Sequence, residues 1–323
     1  MFPDNRIITR LYHLREKIQK KIKPIWSKPL RVTPKKKKTL IFGHRGASFH
    51  APENTLASVK KAFALEADGV EVDIQLTHDK KIIVLHDDTL QRTATYTQKS
   101  LKKAGLNKTQ FKKIIETPIH LLDYDIIKKI NVALWKKKHK AKNNWLDNWS
   151  KEQVPTLNKV LDIILYSKKP RKIQVEIKTD DFFIISKLKK ILAPYPKQQV
   201  SNSIIIIGFN LEIIKLIKKE IPYCKALLVK KRKQIPTPKD VLTCIEKMVN
   251  AGLDGISFEA DPTFITKKLV TELHRRKKHI GVWAYPKQDT LANLQYFKNI
   301  GVDFITTNLP PAIAKTIKAP AHK

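Results

Sequence analysis

The sequence predicts an α/β fold, a (β/α)8 TIM barrel, because short β-branched runs alternate with amphipathic helical patterns from residue 39 onward. Nine runs have the length and composition of strands: TLIFGH (39–44), GVEVDIQL (69–76), KIIVLH (81–86), KIQVEIK (172–178), SIIIIGF (203–209), KALLVK (225–230), GISFE (255–259), GVWAY (281–285) and DFITTN (303–308). Helical patterns such as LEIIKLIKKE and FITKKLVTELHRR separate most of them. Strands and helices that alternate in this way are typical of a parallel sheet with helical crossovers.

Nine strands are one too many for an eight-stranded barrel. The second and third runs are joined by THDK (77–80), which is too short for a parallel crossover of about a dozen residues. We therefore expect these two strands to form an antiparallel hairpin, which leaves eight parallel strands. The alternative is a doubly wound open sheet, but the first strand is not followed by the glycine-rich loop that would support it.

The chain is long enough for a large core and strongly basic. It has 323 residues, of which 42% are hydrophobic, and 64 Lys and Arg against 29 Asp and Glu, a net charge of +35. Such a surface attracts polyanions such as nucleic acid, an anionic membrane or phosphorylated substrates, or it is simply a solvated lysine-rich exterior. The two cysteines, Cys224 and Cys244, argue against a disulfide framework and a zinc cluster, and suit a reducing compartment.

We expect the barrel domain to span residues 39–318, preceded by a basic segment (1–38) and followed by a tail (319–323). In the basic segment apolar residues recur at helical intervals: Ile8, Leu11, Leu14 and Ile18. A basic amphipathic helix of this kind can lie on an anionic membrane, and it can equally pack on the body or fray. We see no signal peptide and no run of the ~18–20 apolar residues that span a bilayer, so we expect a cytoplasmic protein with membrane-peripheral contact as the alternative.

Residues 94–153 interrupt the strand–helix rhythm and form a predicted basic insertion after the hairpin. The stretch is too long for an ordinary loop and includes WKKKHKAKNNWLDNW, in which Trp135, Trp145 and Trp149 lie among lysines. Loops that follow barrel strands lie at the catalytic end, so the insertion is a candidate lid or substrate wall. The alternative is a surface excursion that its tryptophans anchor to the body.

The carboxyl ends of parallel barrel strands face the active site. Polar, ionisable and aromatic side chains gather at these ends: His44, Arg45, Glu71, Asp73, His86, Asp87, Glu176, Lys178, Phe209, Asn210, Glu259, Trp283 and Tyr285. Chemistry is therefore expected at this end of the barrel.

Three carboxylates among these residues form a candidate metal site. Glu71 and Asp73 are two apart on one strand, so both side chains leave the same face. Two carboxylates that converge in a barrel mouth repel one another unless a cation lies between them, and Glu176 supplies a third oxygen ligand. Oxygen ligands of this type suit Mg²⁺ or Ca²⁺ better than a softer metal.

Two histidines and two basic residues complete the candidate site. His44 and His86 end neighbouring strands, and histidine is the side chain best suited to proton transfer near neutral pH. Arg45 and Lys178 are cations of the kind that bind phosphate. A single histidine after an apolar run is more often structural than catalytic, but several such residues at strand ends favour a catalytic site.

These residues lie in motifs that resemble the glycerophosphodiester phosphodiesterase family. The motifs follow one another in the order HRG, PENT, EVDIQLT, VLHDDTLQRT, VPTL, VEIK, VWAY and ITTNLP. The resemblance runs through residues 40–311, with an interruption at about 94–153. It implies a barrel of the phospholipase C-like phosphodiesterase type that hydrolyses glycerophosphodiesters to sn-glycerol 3-phosphate and an alcohol with a divalent cation, in glycerol and lipid metabolism.

The resemblance also implies a role for each motif residue. His44 and His86 correspond to the acid/base pair, and Glu71, Asp73 and Glu176 to the metal ligands. The other positions are two phosphate contacts, two residues near the metal and first histidine, and an aromatic substrate wall: Arg45, Lys178, Glu53, Asn54 and Trp283. In this family the glycerol 2-hydroxyl attacks first and gives a cyclic phosphate that water then opens.

Two departures from the family pattern and two other functions stay open. The chain has GFN at the fifth strand where relatives often have SF, and Asn308 where an aspartate is common.

The same site could act on lysophospholipids at a membrane, with the N-terminal segment and the insertion as the contact surface. A non-enzymatic polyanion-binding protein is the third reading, and it would bind nucleic acid in a salt-sensitive way.

Overall fold

The computed structural model describes residues 38–133 and 152–309. Its strands are β1 (Leu40–Gly43), β2 (Gly69–Leu76), β3 (Ile82–Val84), β4 (Lys172–Ile177), β5 (Ile204–Gly208), β6 (Lys225–Lys230), β7 (Gly255–Glu259), β8 (His279–Trp283) and β9 (Phe304–Thr307). Its α-helices are α1 (Leu56–Ala64), α2 (Gln98–Ala104), α3 (Lys108–Glu116), α4 (Tyr124–Ile127), α5 (Leu157–Leu165), α6 (Phe183–Leu192), α7 (Lys197–Ser203), α8 (Leu211–Glu220), α9 (Pro238–Asn250), α10 (Lys267–Arg275) and α11 (Leu291–Ile300).

The sheet is a closed barrel of eight parallel strands. β1 pairs with β2 on one side and with β9 on the other, and the remaining strands follow in the order β4 to β9. β3 pairs antiparallel with β2, so the predicted hairpin is confirmed. All nine predicted strands are present, and closure of the barrel excludes the doubly wound sheet.

The largest shift between a predicted and an observed strand is at β8, which begins and ends two residues earlier than its motif. It begins at His279 because that residue pairs with Gly255 of β7. A Cβ at Gly255 would lie 2.3 Å from the His279 carbonyl oxygen, so only glycine allows this approach.

The core has an inner and an outer part. The barrel interior holds a compact apolar cluster: Phe42, Ile205, Ile207, Leu227, Val229 and Phe304. The rings of Phe42 and Phe304 meet edge to face with centroids 5.8 Å apart. The larger outer cluster packs the helices on the other face of the strands, and all eight residues of β2 are buried as a result.

The described part of the predicted insertion, residues 94–133, forms helices that pack on a buried apolar cluster. Residues 94–133 include α2, α3 and α4, and buried side chains such as Phe111 and Ile127 pack with Ile83 of β3. Residues 134–151, with the three tryptophans, lie outside the described residues, as do residues 1–37. The predicted lid and the predicted amphipathic helix therefore stay predictions.

Within residues 38–133 and 152–309, none of the helices has the length and apolar character needed to cross a membrane.

Candidate active site

The turn after β1 brings several backbone groups of the site together. Arg45 and Gly46 have positive φ angles of 54° and 79°. A Cβ at Gly46 would lie 2.4 Å from Ser58 Oγ, so glycine is needed there. The Arg45 carbonyl accepts hydrogen bonds from Asn54 N and Ser58 Oγ, both at 3.0 Å. These bonds hold an arginine in a sparsely populated conformation beside the barrel mouth, which is where strained backbone tends to occur.

Three carboxylates converge in the mouth of the barrel. Glu71 and Asp73 project from the same face of β2, and Glu176 of β4 lies opposite Asp73 in the parallel register. One oxygen from each of the three lies within 4.8 Å of the others. Glu71 and Asp73 are buried, with 2% and 1% of their surface exposed. The structure thus brings together the three residues in which the sequence predicts a metal site.

The electrostatics of this cluster fit a hard cation. Burial and the charges of Asp73 and Glu176 raise the pKa of Glu71 well above its ordinary value, and burial with the charge of Asp73 also raises that of Glu176. Glu71 Oε2 accepts a hydrogen bond from Arg45 N at 2.9 Å, but Oε1 is buried without a partner. A divalent cation would satisfy this oxygen and remove the repulsion, and oxygen ligands suit Mg²⁺ or Ca²⁺.

Arg45 and Lys178 flank the carboxylate cluster. Arg45 Nη1 donates to Glu53 Oε1 at 2.8 Å, and its Nε lies 3.4 Å from Asp73 Oδ2. Lys178 Nζ donates to Glu176 Oε1 at 3.0 Å. Burial alone would lower the pKa of both bases, but the carboxylates outweigh it and raise both pKa values, so both side chains stay charged.

His44 is held with one ring nitrogen toward the carboxylate cluster. Its Nδ1 lies 2.8 Å from Asn308 Oδ1, and its Nε2 lies 3.9 Å from Glu71 Oε2. Asn308 donates from its backbone N and from Nδ2 to Asp289 Oδ2, which turns its Oδ1 toward the histidine. Nδ1 therefore carries the proton, and the lone pair is on Nε2. Burial and the charge of Arg45 lower the pKa of His44 to about 4.

His86 has a charged partner on each side. Its Nδ1 lies 2.6 Å from Asp87 Oδ1, and Lys178 Nζ lies 3.2 Å from its Nε2. Arg92 Nε donates to the other oxygen of Asp87. Although burial opposes it, hydrogen bonds from His86 and Arg92 hold the pKa of Asp87 far below its usual range, so this residue is an anion. A carboxylate on Nδ1 orients the ring and fixes which nitrogen faces the cavity.

Glu53 and Asn54 connect the cations and carboxylates of the site. Arg92 donates to both oxygens of Glu53 at 2.8 and 2.6 Å. These bonds and the charge of Arg45 outweigh burial and lower the pKa of Glu53 to about 2. Asn54, with a φ of 55°, donates to Asp73 Oδ2 at 2.8 Å and accepts from Asp73 N at 3.2 Å. Asn54 thus lies behind the cluster, whereas Glu53 connects Arg45 and Arg92 at the edge of the cavity.

A cavity of about 310 Å³ opens above these groups. Its lining is charged on one side and aromatic on the other: His44, Arg45, Ser48, Glu53, Asp73, His86, Glu176, Lys178, Phe209, Lys231, Trp283, Ala284, Tyr285, Pro286 and Asn308. Eight of the ten predicted site residues are in this lining, and the other two, Glu71 and Asn54, contact it from behind. Trp283 Nε1 is buried without a hydrogen-bond partner. None of the described insertion residues lines the cavity.

Sequence reasoning did not single out four residues of the site. Lys231 follows β6 directly, so the rule that strand ends carry the site would have found it. Arg92 lies in the HDDTLQRT motif, five residues after Asp87, but sequence spacing gives no sign of the bond between them. Ser48 and Asp289 lie in loops and carry no signal of their own. Asn210, by contrast, caps α8, and its side chain accepts from the N–H groups of Glu212 and Ile213.

Comparison with known proteins agrees with this geometry. Residues 44–312 match the model of the glycerophosphoryl diester phosphodiesterase family. The chain is 29% identical over 283 residues to a glycerophosphodiester phosphodiesterase of Caldanaerobacter subterraneus subsp. tengcongensis, which covers 87% of this chain and 98% of that protein. The chain is 24% identical over 278 residues to a glycerophosphodiester phosphodiesterase of Bacillus altitudinis, and the match covers 86% of this chain and 97% of that protein.

Solved structures share the fold. A glycerophosphodiester phosphodiesterase from Agrobacterium tumefaciens superposes with a TM-score of 0.62 at 20% identity, covering 86% of this chain and 100% of that one. A phosphodiesterase from Oleispira antarctica, solved in complex with the product sn-glycerol-3-phosphate, superposes with a TM-score of 0.67 at 20% identity, covering 87% and 97%. The ordered motifs, the closed barrel and the match over most of its length together show that this chain belongs to the glycerophosphoryl diester phosphodiesterase family.

Proposed function

We propose that this phosphodiesterase hydrolyses small glycerophosphodiesters to sn-glycerol 3-phosphate and an alcohol, with Mg²⁺ or Ca²⁺ held by Glu71, Asp73 and Glu176. The observation that carries the proposal is the buried cluster of three carboxylates, with Glu71 Oε1 unpartnered, at the base of a cavity that two histidines flank. The product bound by the Oleispira antarctica relative is the one this reaction would release.

The cations of the site would bind and orient the diester. The divalent cation, when bound, would offset negative charge on the non-bridging phosphate oxygens. Arg45 and Lys178 both line the cavity and both stay charged, so they would bind the same oxygens and stabilise the charge that builds up in the transition state. Glu53 fixes the direction of Arg45, and Asn54 fixes that of Asp73.

We assign His44 as the base of the first half-reaction. The glycerol 2-hydroxyl would attack phosphorus, forming a new O–P bond and giving its proton to His44 Nε2. The low pKa of His44 leaves that nitrogen unprotonated at neutral pH, and Asn308 keeps the proton of the neutral ring on Nδ1.

We assign His86 as the acid of the same step. As the P–O bond to the alcohol breaks, His86 would give its Nε2 proton to the departing oxygen, while Asp87 orients the ring through Nδ1. In this structure Lys178 Nζ lies 3.2 Å from the same Nε2, so this role requires the ammonium group to turn toward the phosphate oxygens when the diester binds. Water would then open the five-membered cyclic phosphate with the two roles reversed. Each histidine ends the cycle in the state in which it began it, so protons balance.

The size and charge of the cavity favour a soluble diester over a lysophospholipid. A volume of about 310 Å³ suits a small ligand, and six of the fifteen lining residues carry charged side chains. Peripheral contact with an anionic membrane and a cytoplasmic location stay predictions of the sequence, as does the polyanion-binding alternative. Anionic vesicles added to the assay below would raise the rate only if membrane contact contributes to activity.

The direct test is release of sn-glycerol 3-phosphate from glycerophosphocholine and glycerophosphoethanolamine. We expect release that EDTA abolishes and that Mg²⁺ or Ca²⁺ restores, and the better cation identifies the cofactor. His44→Ala serves as the inactive control. Release that survives exhaustive metal removal would contradict the assigned role of the carboxylates, and no release from these diesters or from glycerophosphoglycerol with any divalent cation would contradict the substrate class.

A second prediction concerns Asp289, which positions Asn308. Asp289→Asn keeps the size of the side chain, but it allows the Asn308 amide to turn and present Nδ2 to His44. We expect kcat to fall about 10-fold with KM little changed, the lower part of the range for residues that orient a catalytic group. Asp289→Glu should recover part of the loss, because it keeps both carboxylate oxygens as acceptors, for Thr307 Oγ1 and for Asn308. Equal losses in both variants would mean that Asp289 acts through packing.

A further inference from the structure

A second cavity adjoins the active-site cavity. It has a volume of about 580 Å³, and its lining is basic: Lys231, Arg232, Lys233, Pro236, Glu259 and Tyr285. We call it the basic annex. Lys231 and Tyr285 line both cavities, so a ligand that fills the first can extend into the second.

Two of the three cations in the basic annex are available to a ligand. Arg232 is already engaged, since its Nε donates to Asp261 at 3.1 Å and its Nη1 to the Ile235 carbonyl at 2.7 Å. Glu259, the one carboxylate in the lining, accepts from Arg232 N at 3.0 Å. Within the described parts of the chain, no carboxylate lies within ion-pair distance of the Lys231 or Lys233 ammonium group.

A row of aromatic rings joins the basic annex to the catalytic residues. The Phe209 ring has Lys178 Nζ at 5.7 Å and Lys231 Nζ at 5.3 Å from its centroid. Lys178 belongs to the catalytic site and Lys231 to the annex, so one ring separates the two charges. Trp283 packs edge to face on Phe209, and Tyr285 packs on Trp283. The three rings thus form one continuous aromatic side along both cavities.

We propose that the basic annex binds a second phosphate, carried by the alcohol part of the substrate. The inference rests on the proposed function, since it places the scissile phosphate at the carboxylate cluster and the alcohol along the aromatic row. Two unpaired ammonium groups beside one engaged arginine attract an anion and disfavour a cationic alcohol such as choline. The preferred diesters are therefore those whose alcohol is itself a phosphomonoester or the next unit of a phosphodiester chain.

The test compares two substrates that differ by one phosphate: glycerophosphoglycerol and its terminal phosphomonoester. At low ionic strength we expect kcat/KM about tenfold higher for the phosphorylated substrate, and a smaller ratio at 0.5 M salt because screening weakens exposed charges. Lys233→Glu should reduce the ratio about tenfold. Lys219→Glu is the matched control, since Lys219 is an exposed lysine in the last turn of α8, and it should leave the ratio as it is.

Each outcome decides between the proposals. A wild-type ratio near one, or an equal drop in Lys219→Glu and Lys233→Glu, overturns the annex but leaves the proposed function standing as long as both diesters are cleaved. If neither diester is cleaved, the proposed function fails and the annex is judged by binding alone. Calorimetry with both diesters should then show that the terminal phosphate tightens binding about tenfold in wild type but not in Lys233→Glu, and equal tightening in the two proteins overturns the annex. A diester chain of several glycerol phosphate units distinguishes a polymer end from a monophosphate.

Discussion

Glu71→Gln is expected to reduce diester hydrolysis by about 10³-fold or more while stabilising the metal-free protein. The activity should fall because the variant loses one of the three proposed anionic ligands, and a bound cation contributes several kcal/mol of charge stabilisation to such a reaction. Activity at saturating Mg²⁺ or Ca²⁺ measures the loss. Retention of more than a tenth of the wild-type kcat would contradict the ligand role of Glu71.

The stability gain follows from the buried position of Glu71. Its Oε1 has no partner and lies near Asp73 and Glu176, whereas the amide of glutamine would place a donor there and keep an acceptor for Arg45 N. Satisfying a buried polar group of this kind is worth roughly 1–3 kcal/mol. Thermal unfolding in EDTA should therefore occur at a higher temperature in the variant than in the wild type.

The pH dependence of this gain has a definite sign. The folded-state pKa of Glu71 is raised above its unfolded value, so the folded wild type binds the proton more tightly. Its metal-free form then loses stability as the pH rises above the unfolded pKa, and no penalty is present below that value. The gain of Glu71→Gln should thus be small near pH 4.5 and larger near pH 8. Glu116→Gln, at an exposed position in α3, is the matched control and should change neither activity nor stability.

The fold was predictable because the pattern of β-branched and apolar residues and the lengths of the links between strands encode it. The β-branched runs mark all nine strands, and the bounds of β2, β6 and β7 agree with the motifs residue for residue. The four-residue link between the second and third runs dictates a hairpin, and eight parallel strands then close into a barrel. The strand-end rule also brought the histidines and the carboxylates to one place, since parallel strands deliver their ends to the same rim.

The rest of the site could not be predicted because it depends on how side chains meet across loops. Arg92 reaches Glu53 from 39 residues away, and Asp289 orients Asn308 from a different loop. No periodic pattern in the sequence predicts such pairings.

The effect of Asn308, which stands where the family often has aspartate, also depends on contacts across loops. Its Oδ1 accepts from His44 Nδ1 and on its own raises the pKa of the ring, but burial and the charge of Arg45 outweigh this bond and lower the pKa of His44 to about 4.

His44→Ala and His86→Ala are each expected to lower the hydrolysis of glycerophosphocholine by about 10²–10⁴-fold, the range for loss of a general acid or base. A diester of glycerol with 4-nitrophenol should separate the two roles. Its leaving group departs as a stable phenolate without a proton, so the acid is not needed in the first step. Release of nitrophenol reports that step alone, before water opens the cyclic phosphate.

On the nitrophenyl substrate, His86→Ala should therefore recover most of its activity, whereas His44→Ala should stay as impaired as on glycerophosphocholine. His78→Ala is the matched control, because His78 is an exposed loop histidine paired with Asp123 and lies outside the cavity lining. The opposite pattern, with recovery in His44→Ala, would exchange the two assignments. The argument for the present order is that His44 is neutral because it is buried beside Arg45, whereas the Asp87 carboxylate on Nδ1 of His86 leaves Nε2 of that ring to face the cavity.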